Sequence, residues 1–260
     1  MAAEAFPTIS LTCNAFLGGQ AQIWQPRDGY RAGIDPVLLA ASVPARPGER
    51  ILDLGCGGGV ALICLGRRVA GLSLTGVELQ PAYAALARQN LTENGLAHPD
   101  SAIHCADLRA LPADVKAARY DHVLANPPYF DPTARTAAHR TDRDIARAGD
   151  TPLADWVQVA AKRTRPRGTV TFIQRAERLP DLLSAARACL GGIELWPLSA
   201  RAGRAPRLIL LRGRPGVQAP FRFHAPLILH DGAHHSDGAK DYTPAIAAAL
   251  EHGAALPFPA

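Results

Sequence analysis

From about residue 50 to residue 211, short apolar runs alternate with amphipathic stretches. Apolar runs bounded by turn residues read as strands, and apolar positions three and four apart read as helices. This spacing predicts strands at Arg50–Leu54, Ser73–Glu78, Ala102–Cys105, His122–Asn126, Thr169–Gln174, Gly192–Pro197 and Arg207–Leu211. Helices are predicted at Val60–Ala70, Pro81–Asn94, Leu153–Lys162 and Leu179–Cys189. Pro81 suits a first helical turn, where its missing N–H loses no bond, and the Asn94-Gly95 pair suits the end of that helix. Strands alternating with crossing helices imply an α/β fold, a seven-stranded, mainly parallel sheet with helices on both faces.

Two segments lie outside this alternation. Residues 1–45 carry an apolar segment around Ile9–Thr12, a strand at Ala21–Trp24 and a helix at Asp35–Ala41, and they are too short to fold alone. They are expected to form a cap or lid over the carboxyl edge of the sheet, where open α/β folds bind ligands. Residues 46–260 then form the main unit of a single domain. Its C-terminal extension is expected to contain a strand at Pro226–His230, a Gly/His/Asp loop and an Ala-rich helix after Pro244.

The run Ile51-Leu52-Asp53-Leu54-Gly55-Cys56-Gly57-Gly58-Gly59 passes from an apolar strand through a glycine-rich turn into a helix. Glycines there let the backbone bend sharply and approach a ligand closely. The dinucleotide-binding G-x-G-x-x-G pattern does not fit, because it would need glycine where Val60 stands. The second strand ends at Glu78, 25 positions beyond Asp53, and an acid at that place can accept two hydrogen bonds from a ribose diol. The third strand closes on Asp107 and Leu108; the acid can accept from an adenine amino group and the leucine can pack on the ring. Acids at the carboxyl ends of three successive strands form a more specific constellation than any one of them.

The fourth strand delivers Asn126-Pro127-Pro128-Tyr129. Two prolines cannot continue a strand ladder, and they fix the direction of the Pro127 carbonyl. An exocyclic amine or a side-chain amide is a poor nucleophile because its lone pair is delocalised. Hydrogen bonds from its two N–H groups to the Asn126 side-chain oxygen and the Pro127 carbonyl would favour a pyramidal nitrogen. Orientation and electrostatics then supply the rate enhancement, without a strong general base. Tyr129 can stack on a planar acceptor, worth roughly 1–3 kcal/mol per base.

The D-x-G-x-G-x-G form around Asp53 resembles the first motif of class I S-adenosylmethionine-dependent methyltransferases. The resemblance implies a Rossmann-like sheet, with S-adenosyl-L-methionine as cofactor and S-adenosylhomocysteine as product. It further implies that Asp53 positions the methionine amino end, that Gly55, Gly57 and Gly59 make room for it, and that Asn126 borders cofactor and acceptor alike. Within that class the tetrapeptide is specific for nitrogen acceptors. Two flanking segments, Asp28 to Ala40 and His139-Arg140 through Ala146-Arg147 to Thr151, resemble the bacterial family that methylates N6 of adenosine 37 in the valine tRNA anticodon loop. Phe130 after the tetrapeptide and Tyr242-Thr243 extend the likeness over most of the chain. It implies that Arg31, Gly33 and Asp35 lie over the cofactor pocket, and that the basic region after Tyr129 grips RNA. Ala146-Arg147-Ala148-Gly149 departs from the A-R-H-E-like sequence of that family, and the His230–Asp241 loop is longer. Both departures bear on which RNA site is used, and neither touches methyl transfer.

Charge agrees with a polyanionic partner. Between Asp131 and Arg222 stand 17 Lys and Arg against 8 Asp and Glu, although the whole chain carries only +5. Such a flank raises encounter rates with nucleic acid, tRNA by the resemblance, and contacts its phosphates. The plainer reading is an Arg-rich, solvated surface. Five scattered cysteines without C-x-x-C spacing suggest neither a disulfide framework nor a zinc cluster. No apolar stretch approaches the roughly 20 residues of a membrane span, and no signal pattern opens the chain. The expectation is therefore a cytoplasmic protein, more simply a monomer than an oligomer. His230, Asp231, His234, His235 and Asp237 read as a surface loop, not a metal site, Cys56 as a packing residue, and Trp156 as core. Other readings are a glutamine methyltransferase acting on a release factor, an rRNA or DNA amino-methyltransferase, and an RNA-binding module that has lost catalysis.

Overall fold

The computed structural model describes residues 10–29, 31–129, 151–232 and 241–259. Tyr30, Phe130, the segment from His139 to Gly149, and His234, His235 and Asp237 lie outside the described residues. In chain order the elements begin with an antiparallel hairpin, β1 (Leu11–Phe16) and β2 (Ala21–Pro26), then α1 (Asp35–Ser42). Alternation follows: β3 (Arg50–Leu54), α2 (Val60–Arg68), β4 (Ser73–Glu78), α3 (Pro81–Glu93), β5 (Ala102–Cys105), α4 (Ala113–Ala117) and β6 (Tyr120–Ala125). After Thr151 come α5 (Leu153–Arg163), β7 (Thr164–Arg175), α6 (Leu179–Cys189), β8 (Gly191–Ser199), β9 (Leu208–Arg214), β10 (Arg222–Phe223), β11 (Leu227–Ile228) and α7 (Pro244–His252).

The sheet runs β10-β8-β9-β7-β6-β3-β4-β5, with β11 also on β8. Only β9 runs antiparallel to its neighbours, so the mainly parallel α/β fold expected from the pattern is present. The seven expected strands are joined by the two-residue β10 and β11, which extend the β8 edge. Alternation along each strand sorts side chains to two cores. Ile51, Leu124, Ile173 and Leu210 join one with α1, α2, α3 and α7. Leu52, Val123, Phe172 and Leu211 join the other with α4, α5 and α6.

Several boundaries differ from the sequence reading. Strand β6 stops at Ala125, leaving Asn126 beyond the ladder. Strand β7 starts at Thr164, across an irregularity that holds Arg167 at φ +69°. Of the strand expected at Pro226–His230 only Leu227–Ile228 pairs with β8, and His230 forms an isolated bridge with Tyr242. The five-residue α4 is too short to leave a periodic signal.

The hairpin is bolted to the main unit through α3. Strand β2 has β1 on one side only, and its other edge pairs with two asparagines one helical turn apart. The Trp24 N–H donates to Asn90 Oδ1 at 2.9 Å, and Asn90 Nδ2 donates to the Trp24 carbonyl at 3.0 Å. Asn94 repeats this double bond with Gln22, at 3.0 and 2.7 Å. Asn90, fully buried, also donates to the Gly58 carbonyl at 2.9 Å, which ties the hairpin to the glycine loop. The C-terminal segment closes the same face, with the Leu256 N–H donating to the Ala41 carbonyl at 2.8 Å.

Candidate active site

Strand order reverses between β3 and β6: the chain moves outward to β4 and β5, then returns to β6 and β7 on the other side. Such a reversal opens a crevice at the carboxyl ends of the strands. A cavity of about 730 Å³ occupies it; sites for small organic ligands span roughly 300–1,000 Å³. Its walls bring together Asp53, Gly55, Gly57, Glu78, Asp107, Leu108 and the whole Asn126–Tyr129 turn.

Gly55 has φ +67°, and a Cβ there would lie 2.5 Å from the Trp156 ring. Both the backbone region and the indole therefore require glycine. Glu78 braces the loop: its Oε2 accepts from the Gly57 N–H at 2.9 Å and its Oε1 from the Gln80 N–H at 2.8 Å. Asp53 and Glu78 are both buried. Burial, and then the negative charge of Glu78, hold the Asp53 carboxyl well above its usual range. Burial likewise raises Glu78, against the lowering effect of its backbone donors. A cavity that holds two desolvated carboxyls favours a cationic ligand rich in hydroxyl donors. The Cys56 thiol is pushed up by burial and then by these two acids, as befits a packing residue and not a nucleophile. Asp107 caps the turn at Leu108–Ala110, accepting from the Arg109 N–H at 2.8 Å, and forms an ion pair with the Arg109 guanidinium. Hydrogen bonding from Arg109 keeps its pKa low despite some desolvation.

At the tetrapeptide, the Asn126 side-chain oxygen is buried and has no hydrogen-bond partner among the described residues. An orphaned buried acceptor is unfavourable by about 1–3 kcal/mol, so a group that donates to it is bound with that advantage. The Pro127 carbonyl accepts one bond, from the fully buried Gln174 Nε2 at 3.2 Å. A carbonyl has two lone pairs, so one acceptor site remains and Gln174 fixes its direction. Gln174 is itself held, because its Oε1 accepts from the Arg175 N–H at 2.8 Å. The Tyr129 hydroxyl donates to Asp35 Oδ2, and the Arg175 guanidinium stands 5.1 Å from the centre of the Tyr129 ring.

Four residues expected at the cofactor pocket do not line the cavity. Arg31 turns to the hairpin, donating to Thr12 Oγ1 at 2.7 Å, the Pro26 carbonyl at 2.9 Å and Asn14 Oδ1 at 2.9 Å. Gly33 stands beside the cavity while its neighbours Ala32 and Pro36 line it. Asp35 is engaged by Tyr129, and Gly59, at φ +84°, faces α3, where an added Cβ would lie 3.3 Å from Leu91 and 3.4 Å from Ala87. Conversely Trp24, Gln25, Tyr83, Leu86, Arg175 and Glu177 line the cavity without a sequence motif to mark them. Arg175 had one usable signal: β7 is the neighbour of β6, so its carboxyl end must lie beside Asn126. Trp156, expected as core, is buried and also walls the cavity. His230, at the start of the loop expected at the surface, stacks on Tyr242 at 4.7 Å and pairs with Asp241.

Comparison with known proteins agrees with this geometry. The family described as "Methyltransferase small domain" matches residues 32–151. A tRNA1(Val) (adenine(37)-N6)-methyltransferase of Yersinia pseudotuberculosis serotype O:3 is 38% identical over 192 residues, covering 73% of this chain and 70% of the relative. One of the same name from Tolumonas auensis is 30% identical over 207 residues, covering 76% and 82%. The crystal structure of a predicted O-methyltransferase from Agrobacterium tumefaciens matches with a TM-score of 0.68 at 25% identity, covering 86% of this chain and 99% of that one. Identity over most of both chains, together with the parallel sheet and its glycine-rich crevice, shows that the chain belongs to the tRNA1(Val) (adenine(37)-N6)-methyltransferase family.

Proposed function

We propose that the protein transfers the methyl group of S-adenosyl-L-methionine to N6 of an adenine in tRNA, at adenosine 37 of the substrate named for its relatives. The observation that carries this reading is the buried Asn126 oxygen, unpartnered among the described residues, beside a Pro127 carbonyl held by Gln174, both at the wall of the cavity. Bound S-adenosylmethionine supplies an electrophilic methyl group on a sulfonium. Asp53 would hold the amino end of the cofactor, Glu78 would accept from its ribose hydroxyls, and Asp107 with Leu108 would receive its adenine. Asn126 Oδ1 and the Pro127 carbonyl each accept one N–H of the substrate amine, which turns its lone pair toward the methyl. Tyr129, fixed by Asp35 and Arg175, stacks on the base. The described residues between 10 and 45 serve as a cap, and Arg31, Gly33 and Asp35 act by supporting the pocket walls. Transfer would break the sulfur–methyl bond, leaving S-adenosylhomocysteine, and the proton of the alkylated nitrogen would pass to water, since its acidity rises on alkylation. In this reading the enzyme meets tRNA in the cytoplasm as a monomer; no described helix is long and apolar enough to cross a membrane.

Labelled S-adenosylmethionine and tRNA from cells lacking the modification test the assignment. Label is expected at N6 of adenosine 37 in tRNA1(Val). Absence of transfer to any tRNA would overturn it, as would transfer to a release-factor glutamine instead.

A pH dependence follows from the raised Asp53 and Glu78 pKa values. Both acids keep protons to higher pH in the empty pocket than ordinary carboxyls do. A cationic cofactor with donor hydroxyls favours their ionised forms, so binding expels protons. Affinity is therefore expected to fall as pH is lowered through the raised values. Calorimetry in two buffers of different ionisation enthalpy should register net proton release, and pH-independent affinity would refute the coupling.

A further inference from the structure

Outside the cofactor cavity, a second cleft of about 460 Å³ opens between α5, α4 and the turn at Leu108–Ala110. Its floor is apolar, from Leu108, Leu111 and Val159. Arg109, Lys116, Lys162 and Arg163 stand around it against a single acid, Asp155. Lys116 and Lys162 are two of only three lysines in the chain, yet they come from different helices to the same cleft. Among the described residues, neither lysine nor Arg163 forms an ion pair, and Arg109 alone has its acid in Asp107. Burial, and then the nearby Arg119 charge, pull the Arg163 guanidinium below its usual value, against a raising effect of Tyr120.

The cleft adjoins the site already described. Leu108 lines both hollows, and α5 is their common wall, with Trp156 on one side and Gln158, Val159 and Lys162 on the other. An 11-residue helix extends about 16 Å, long enough to pass more than one phosphate of a nucleic-acid strand. A free phosphate would be better served by a nest of backbone N–H groups. Here the cations are spaced along two helices, and an acid stands near the amino end of α5.

We propose that this cleft holds backbone phosphates of the substrate RNA while its target adenine occupies the Asn126 pocket. The assignment rests on the reading that the substrate is tRNA. It places part of the RNA grip before Tyr129 in the chain, at Arg109 and Lys116, beyond the basic region that follows the tetrapeptide.

Equilibrium binding of unmodified tRNA to the full chain, measured across a salt series, tests this. The double variant Lys116→Ala/Lys162→Ala is expected to bind roughly tenfold more weakly near 0.15 M salt, with the slope of log K against log salt reduced by about 1 to 2. Affinity for S-adenosylmethionine reports that the variant is folded, and Lys→Arg at both positions is expected to restore binding. Unchanged tRNA affinity and slope in a folded variant would overturn the proposal. So would a variant that loses affinity for inorganic pyrophosphate while keeping tRNA, since the cleft would then be a small-anion site. Wild-type methylation of tRNA with no effect of the variant refutes the cleft alone. Wild-type binding that the variant weakens, with no methyl transfer to any tRNA, refutes the assigned reaction and leaves the cleft standing. Absence of wild-type binding refutes both.

Discussion

Asn126→Ala is expected to lower the single-turnover rate of methyl transfer by about two to three orders of magnitude, the range seen when one preorganised hydrogen-bonding group is removed from a catalytic site. The side-chain oxygen is buried and without a partner among the described residues, so its loss strands no donor there. Stability should stay near that of the parent or rise slightly, because an unsatisfied acceptor is gone. Cofactor affinity should change little, since Asp53, Glu78 and Asp107 remain. Rapid-quench transfer under saturating S-adenosylmethionine and tRNA separates these effects. A variant with parental turnover would remove the amide from the mechanism, and one that also loses the cofactor would assign it a binding role instead.

The second large effect concerns stability. Asn90→Ala deletes three bonds at once and leaves the Trp24 N–H, the Trp24 carbonyl and the Gly58 carbonyl to find other partners. The site is fully buried, and water reaches it poorly. With each stranded group unfavourable by about 1–3 kcal/mol, a loss of roughly 3–5 kcal/mol is expected. Because Gly58 and Trp24 both line the cavity, cofactor affinity should fall together with the unfolding midpoint. Denaturant unfolding with and without S-adenosylmethionine checks this. A loss below about 1 kcal/mol would mean that the hairpin is held elsewhere.

What could be read without coordinates was what the chain encodes locally. Asp53, Glu78, Asp107 and Asn126 each lie within two residues of a strand's carboxyl end, and a strand followed by a turn signal is written in consecutive residues. The sheet register places such ends side by side, so recognising the strands amounted to recognising the crevice. Contacts across long sequence distances left no such trace. Gln174 reaches the Pro127 carbonyl from 47 positions away, and Asn90 reaches Trp24 from 66. Resemblance located Arg31 and Asp35 near the pocket, but it did not say which way they turn. Arg31 is drawn to the open acceptors of the hairpin, and Asp35 to the Tyr129 hydroxyl. The two-residue β10 and β11 carry no periodicity to detect, and they exist because β8 offers them an edge.

Under the proposed function, Glu78 would do two jobs with the same pair of oxygens. Each already receives a main-chain N–H, one from the glycine-rich turn and one from the start of α3. An amide at this position would present one oxygen and one NH2, so a donor would confront a donor on one side. Weakened binding in Glu78→Gln would thus mix a lost sugar contact with a deformed phosphate-free turn, and the two can be told apart only with a cofactor analogue that lacks the hydroxyls. The acid braces the protein at the same two oxygens that the proposed ligand would use.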